Sequence, residues 1–209
     1  MEITWYGLSC FRLKERKHAS IVTDPYNEKL GLPPLKLRGD VVTISHDAPG
    51  HCALDTVSNY EHALTGPGEY EIGNVFITGA TTATKPEQPK NVLFTFDFGG
   101  LTVAHLGDMQ TVPSQSQIEA LEMVNILLVP VGGGNSLTAA QAAEVVSMLE
   151  PNIIIPMHYQ IPGLKLELDT IDRFLNEMGV ADIEEETSLK ISSSSLPDET
   201  ETVLLTPKL

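Results

Sequence analysis

The chain has 209 residues, of which 42% are hydrophobic and 20% charged, an ordinary balance for a globular protein that buries a sizeable core. It carries 28 acidic and 13 basic side chains, giving a formal net charge of −15. Nucleic acids and anionic membranes bind clustered lysine and arginine, so this charge argues against both as partners. With 2 cysteines, no signal-peptide pattern and no apolar run long enough for a bilayer, we expect a cytoplasmic protein with reduced thiols.

The N-terminal half is predicted to consist of short strands and hairpins. Strands are predicted at Glu2–Tyr6, Cys10–Lys14, Ser20–Thr23 and Val41–Ser45, with a loop over Asn27–Arg38. A hairpin is predicted about Gly73, between Glu69–Ile72 and Asn74–Thr78. A second one turns at Gly99–Gly100, which is a strong two-residue turn signal.

The C-terminal half alternates strands with helices. Helices are predicted at Gln115–Met123, from Thr138 to Glu150 and at Leu168–Met178, and strands at Ile126–Val131, Ile153–Pro156, Leu189–Ser192 and Thr202–Leu205. Thr138 and Gln141 fit a capping box, Pro151 stops the second helix, and Gly179 closes the third. Hairpins followed by strand–helix–strand units predict an α/β (α+β) fold of two mixed sheets with helices outside. We expect a single domain over residues 1–209.

Several candidate site residues follow apolar strands. His46, His105 and His158 lie at or just after strand ends, and Asp108 follows in HLGD. Strand ends of α/β sheets gather ligand sites because the scaffold is rigid there and the loops are open. Any one of these histidines, taken alone, is more often a structural residue than a ligand. Asp24 has two interpretations, a residue that holds a site loop or a turn former before Pro25.

Four segments, in order, carry a resemblance to a known family. ISHDAPGH (44–51) resembles the first metal motif of the metallo-β-lactamase superfamily, His-x-His-x-Asp-His. GPGEYEIGNVFITG (66–79) is similar to the segment that follows it in a bacterial branch of metal-dependent hydrolases. AHLGDM (104–109) and IIIPMHY (153–159) resemble the segments with the family's metal-binding aspartate and last histidine. The resemblance implies a four-layer αββα sandwich, the metallo-β-lactamase fold.

The motif nevertheless departs from the family pattern. Its third and fifth positions are Ala48 and Gly50, which have no atom that coordinates a metal. The family's histidine after the ITG strand is also missing, since Thr82, Thr84 and Lys85 stand there, and Leu8 replaces a further histidine. In the intact family pattern the site holds two metals. Of the residues that bind the first of them, only His46 remains in this chain.

The ligands of the other metal are better retained, as His51, Asp108 and His158. The resemblance therefore implies at most one ion held by these residues, with Zn²⁺, Mn or Fe all compatible with the mixed nitrogen and oxygen ligands. His46 or Asp47 is predicted to act as the catalytic base or to hold the substrate.

Two functions remain open from the sequence. One is a metal-dependent hydrolase with a reduced site and a small-molecule substrate. The alternative is a catalytically inactive pseudoenzyme, a ligand-binding or scaffold protein in which the same residues form a hydrogen-bonded cluster without metal. Ala48 and Gly50 favour the second, whereas His51, Asp108 and His158 favour the first.

Overall fold

The computed structural model describes residues 1–82, 90–119, 121 and 123–209. The strands are β1 Glu2–Trp5, β2 Phe11–Lys14, β3 Ile21–Thr23, β4 Leu37–Arg38, β5 Val41–Thr43, β6 Val57–Ser58, β7 His62–Leu64, β8 Gly68–Ile72, β9 Val75–Thr81, β10 Val92–Asp97, β11 Thr102–His105, β12 Ile126–Pro130, β13 Ile153–Met157, β14 Glu185–Glu186, β15 Leu189–Lys190, β16 Glu201–Thr202 and β17 Leu204–Leu205. The α-helices are α1 Gln115–Glu119, α2 Ala139–Leu149 and α3 Ile171–Glu177, and single 3-10 turns lie at Glu28–Leu30, Leu54–Thr56 and Ser193–Ser195.

Two large mixed sheets hold most of these strands. In the described part of the chain, the first has the order β15-β1-β2-β3-β5-β7 and the second the order β16-β13-β12-β11-β10-β9-β8. In the first sheet β3, β5 and β7 are parallel neighbours. In the second, β11, β12, β13 and β16 are parallel, while β8 to β11 form an antiparallel meander.

The strand sequences explain which faces are buried. Ile3 and Trp5 of β1, and Phe11 and Leu13 of β2, alternate with less buried residues and are themselves fully buried. This alternation is typical of antiparallel strands with one face toward the core. The parallel strands β12 and β13 are buried at every position, as expected for strands covered on both faces.

The helices follow strands of the second sheet. The capping box predicted for α2 is confirmed, because the Thr138 side chain accepts from Gln141 N and the Gln141 side chain accepts from Thr138 N. The helix ends at Glu150, which adopts a left-handed conformation before Pro151. The α2 helix contacts β12, α1 and α3. The predicted fold class is confirmed, and the helical segments of the described N-terminal half are single 3-10 turns.

The boundaries of several elements differ from the sequence predictions, most by one to three residues, and these include three elements of the C-terminal half. The last helix begins at Ile171 and not at Leu168, because Asp169 N donates to Gly132 O and holds the preceding segment extended. The described part of the first helix ends at Glu119, and its predicted remainder includes positions outside the described residues. The last predicted strand is divided at Val203 into β16 and β17, which pair with different strands.

Both predicted hairpin turns form, and both use left-handed residues. Gly73 and Asn74 have φ angles of 53° and 63°, and Gly99 and Gly100 have φ angles of 77° and 106°. These signs suit two-residue turns between twisted antiparallel strands. Among the described residues no helix is long and apolar enough to span a bilayer.

Candidate metal centre

Three strand ends bring the candidate residues into one cleft. His46 and His51 lie in the loop after β5, Asp108 lies just beyond β11, and His158 directly follows β13. All four line a cleft of about 560 Å³. The strand ends at which the sequence analysis found candidate site residues therefore lie together in the structure.

Asp108 lies at the centre of the cluster. Its Oδ2 is 3.2 Å from His51 Nε2 and 3.7 Å from His46 Nε2. Its Oδ1 is 3.5 Å from His158 Nε2. The ligand atoms of His46, His51 and Asp108 all lie within 4.8 Å of one another. The three imidazoles thus direct the same nitrogen, Nε2, toward one carboxylate.

The tautomer of His51 is set by Asp24. His51 Nδ1 donates to Asp24 Oδ2 at 2.9 Å, and Asp24 is fully buried. Asp24 also accepts from Ser45 N at 2.7 Å and from Ser45 Oγ at 2.5 Å. Because Nδ1 carries the proton, Nε2 of the neutral ring presents a lone pair to the cluster, as a metal-binding histidine requires. Of the two interpretations of Asp24, the structure favours the residue that holds the site loop.

The other two histidines are oriented in the same way by hydroxyl groups. Ser45 Oγ donates to Asp24, so it accepts from His46 Nδ1 at 3.0 Å. Ser136 Oγ donates to Gly133 O, so its contact of 3.4 Å with His158 Nδ1 has the histidine as donor. In both neutral rings the lone pair on Nε2 faces Asp108.

The arrangement fits a divalent cation. Asp108 Oδ1 is buried and has no hydrogen-bond partner among the described residues, which is costly unless a cation or proton donor satisfies it. Two atoms that bind one Zn²⁺ at about 2.0–2.2 Å with tetrahedral angles lie roughly 3.3 Å apart. The separation of 3.2 Å between His51 Nε2 and Asp108 Oδ2 is close to that value, whereas His46 Nε2 is 3.7 Å from the same oxygen and His158 Nε2 is 3.5 Å from Oδ1. Two or three imidazoles with one carboxylate also form a ligand combination that suits zinc.

The electrostatics show what the cluster does in the absence of a cation. Burial lowers the pKa of His51, but the carboxylates of Asp108 and Asp24 outweigh it and raise the pKa to about 10. Burial raises the pKa of Asp108, but the charge on His51 outweighs it, and this pKa is well below its ordinary value. Burial lowers the pKa of His158 to about 4. Near neutral pH His51 therefore carries a proton on both ring nitrogens, Nδ1–H facing Asp24 and Nε2–H facing Asp108, and a metal ion can replace the Nε2 proton.

Several residues at this edge have unusual backbone conformations. Leu8, Asp24 and His158 have φ angles of 48°, 39° and 52°, although none is glycine. Such conformations are rare for side chains with a Cβ and occur most often at functional sites. His158 N donates to Leu8 O at 3.1 Å, and this bond helps to hold the first and last of these residues in place.

Asn91 and Gly107 are site residues that the sequence analysis missed. Asn91 Oδ1 accepts from Asp108 N, and Asn91 Nδ2 donates to Leu106 O, each at 2.9 Å. A Cβ at Gly107 would lie 2.3 Å from Asn91 Oδ1 and 2.6 Å from Ser45 Cβ, so glycine is required there. The glycine in HLGD was a signal for such a close approach, whereas nothing in the sequence around Asn91 indicated a site.

Two other candidates lie outside the cluster. Asp47 is exposed, and its Oδ1 accepts from the Cys52 thiol at 3.4 Å, so the structure does not place it with the predicted catalytic His46. His105 is fully buried below the site, where its Nε2 donates to Ser9 O and its Nδ1 accepts from Gly107 N. It is a structural residue that supports the loop leading to Asp108.

The positions that depart from the family motif line the same cleft. Ala48 and Gly50 are both part of its wall, and a Cβ at Gly50 would lie 3.5 Å from Leu30 Cδ1 and 3.7 Å from Leu8 Cδ1. These are ordinary contacts, and the φ of Gly50 is not positive. Thr82 lies within the described residues, whereas Thr84 and Lys85 lie outside them.

Comparison with known proteins identifies what the chain resembles. Residues 2–158 match the family described as Beta-lactamase superfamily domain. A UPF0173 protein of Pyrococcus abyssi is 31% identical over 184 residues, covering 78% of this chain and 85% of that protein. A UPF0173 metal-dependent hydrolase of Thermoplasma acidophilum is 28% identical over 189 residues, covering 76% and 83%. A crystal structure from Thermotoga maritima, placed in the metallo-β-lactamase superfamily, has 33% identity and a TM-score of 0.79 and covers 98% of this chain and 97% of that one.

Proposed function

Because the chain belongs to the β-lactamase superfamily, we propose that it is a metal-dependent hydrolase with a single-ion site. The Thermoplasma acidophilum relative is named a metal-dependent hydrolase, and the Thermotoga maritima protein has a proposed Zn-dependent hydrolase activity. The observation that carries the proposal is the convergence of three Nε2 atoms on Asp108, whose buried Oδ1 lacks a partner in the described residues.

The ion would be held by His51 and Asp108, together with His158 as the motif resemblance implies or with His46, whose ligand atom lies within 4.8 Å of those of His51 and Asp108. In each histidine a hydrogen bond at Nδ1 fixes the ring and leaves Nε2 toward the cluster. When bound, a divalent ion supplies Lewis acidity, which polarises a substrate carbonyl or phosphoryl oxygen and makes a water more acidic. The separations do not select between zinc, manganese and iron, and His51 can bind any of them once it gives up its proton.

His46 would move the proton. It is partly exposed to the cleft, and its Nε2 is 3.7 Å from Asp108 Oδ2. Burial lowers its pKa, and the charge on His51 adds to this, so the ring is neutral near pH 7 and can accept a proton at Nε2. Ser45 Oγ holds the other ring nitrogen at 3.0 Å and keeps the ring oriented.

The proposal is tested by metal content and hydrolysis together. Untagged protein is assayed for zinc, manganese and iron and against a panel of p-nitrophenyl esters and phosphoesters, before and after chelation. We expect hydrolysis that chelation abolishes and metal restores. Asp108→Asn should lose both metal and activity, whereas His62→Gln, at an exposed histidine outside the cleft, should lose neither. Activity that survives complete removal of metal would refute the proposal.

A specific observation favours the pseudoenzyme as second candidate. Ala48 and Gly50 occupy positions where the family motif has ligands, and His51 Nε2 lies 3.2 Å from Asp108 Oδ2, which is within hydrogen-bond reach. In that case the cluster would be a protonated network in a ligand-binding cleft. Folded protein that takes up no zinc or manganese and hydrolyses nothing in the panel would establish it over the hydrolase.

A further inference from the structure

The cleft has different chemistry on the two sides of Asp108. Asp108 follows β11, which lies between β10 and β12 in the second sheet. Residues anchored on β12 and β13 form one side, and residues that precede β10 form the other. The substrate therefore meets two unlike surfaces, with the histidine–aspartate cluster between them.

The side near β12 and β13 is aliphatic. Leu30, Leu166 and Leu168, here called the leucine wall, line the cleft, are half-buried and pack against the hydrophobic core. The segment with Leu166 and Leu168 is tied to the end of β12 by the bond from Asp169 N to Gly132 O at 2.8 Å. It is tied to Leu30 by the bond from Lys165 N to Leu30 O, also 2.8 Å. The leucine wall is thus a fixed surface that a hydrocarbon chain can cover.

The side near β10 is cationic. Lys90 lines the cleft, is exposed, and directly precedes Asn91, which is bonded to Asp108 N. Across the described ranges, none of the ion pairs involves Lys90. Apart from histidines, the charged residues of the lining beyond Asp108 are Lys90 and Glu167, and Glu167 is exposed between two residues of the leucine wall. The cleft is therefore positive at one end and apolar with a negative rim at the other.

We propose that the cleft accepts an amphiphilic monoanion, with its hydrocarbon part on the leucine wall and its carboxylate or phosphate at Lys90. This inference rests on the proposed function in one respect: it names an ester, amide or lactone of that kind as the substrate class. Recognition of the amphiphile itself does not require turnover. A second negative charge at the hydrocarbon end is disfavoured by Glu167.

Binding of simple carboxylates tests the inference directly. Calorimetry of the untagged protein with butanoate, hexanoate and octanoate should show affinity rising by about twofold or more per methylene, as expected for partial burial of each group. Suberate, which has the chain length of octanoate and a second carboxylate, should bind several-fold more weakly. Octanoate that binds no more tightly than butanoate would overturn the leucine wall as the chain site.

Matched variants test the cationic end and the aliphatic end of the cleft separately. Lys90→Gln should weaken octanoate binding by about three- to fivefold, the range of an exposed ion pair, and leave octanamide unchanged. Lys36→Gln removes the same charge at an exposed position outside the cleft and should change neither. Equal effects of Lys90→Gln and Lys36→Gln would overturn the anion site.

Leu168→Asn should remove the dependence of affinity on chain length. Leu149→Asn, at a half-buried position on α2, is the folding control.

The amphiphile site and the hydrolase activity can fail independently of each other, and the experiments tell the two failures apart. Octanoate binding with the predicted selectivity, in a protein that hydrolyses no ester, would remove the hydrolase and keep the amphiphile site. Metal-dependent hydrolysis that is equal for short-chain and long-chain esters carrying one free carboxylate, with no effect of Lys90→Gln on their KM, would keep the hydrolase and remove the amphiphile site.

Discussion

Asp24 Oδ2 accepts a hydrogen bond from His51 Nδ1 at 2.9 Å, across 27 residues of chain. The aspartate directly follows β3, whereas His51 lies in the loop after the neighbouring parallel strand β5. The carboxylate is fully buried, has a positive φ and also binds both the backbone N and the hydroxyl of Ser45. One buried group therefore orients His51 directly and His46 through Ser45.

Removing the charge of Asp24 should weaken metal binding while the fold is kept. Asn tolerates a left-handed backbone and can still accept from Ser45, so Asp24→Asn should fold. It should lose about 10- to 100-fold in zinc affinity, as is typical when the partner of a metal-binding histidine is altered. Zinc calorimetry measures this, with Asp40→Asn, an exposed carboxylate bonded to Ser20, as control. Unchanged affinity in a folded Asp24→Asn variant would show that Asp24 has only a structural role.

The His46→Gln variant shows whether His46 acts as a catalytic base or as a metal ligand. If His46 moves the proton, the variant should keep its metal content and lose about 10²- to 10⁴-fold in kcat, with the acidic limb of the pH–rate profile displaced. If His46 is a ligand, as its distance from His51 and Asp108 also allows, metal is lost together with activity. Elemental analysis and steady-state kinetics on the same preparation distinguish the two results.

Rebuilding the family motif should tighten metal binding. Ala48→His with Gly50→Asp restores His-x-His-x-Asp-His, and the Cβ of the aspartate meets only ordinary contacts with Leu30 and Leu8. Since the φ of Gly50 is not positive, no left-handed strain opposes the change. We expect at least tenfold tighter zinc binding than in the parent. Gly66→Asp, at a position open to solvent, is the control, and a folded double variant that binds no more tightly would mean that the loop lacks ligand geometry.

The metal-free protein should be most stable near pH 6.5. The pKa of His51 is raised from 6.5 to about 10, so its contribution is full below pH 6.5 and is lost as the pH rises toward 10. The pKa of His158 is lowered from 6.5 to about 4, so the unfolded chain binds more protons between these values and stability falls as the pH drops. Urea unfolding across pH 4–10 measures this. In the His51→Gln variant the free energy of unfolding should fall less as the pH rises above 6.5. A wild-type protein whose free energy of unfolding falls as little as that of the variant would contradict this prediction.

Particular residues show what could be predicted from the sequence. Apolar periodicity located most strands and α2, because burial on one or both faces produces patterns that are visible locally. The strand ends at His46, Asp108 and His158 were visible for the same reason. The sequence could not decide between the two interpretations of Asp24 and did not indicate the role of Asn91, because both depend on which loops meet across the two sheets. Leu168 was predicted to be helical, but the bonds from Asp169 N to Gly132 O and from Leu168 N to Gln160 Oε1 hold it in the cleft wall.

Native mass spectrometry of the untagged protein tests the central claim most directly, because it counts ions on the folded chain. After incubation with zinc or manganese and removal of free metal, the account predicts one ion per chain in the parent and none in Asp108→Asn. Two tightly bound ions would contradict the single-ion site. A folded parent that carries none would contradict the metal centre itself.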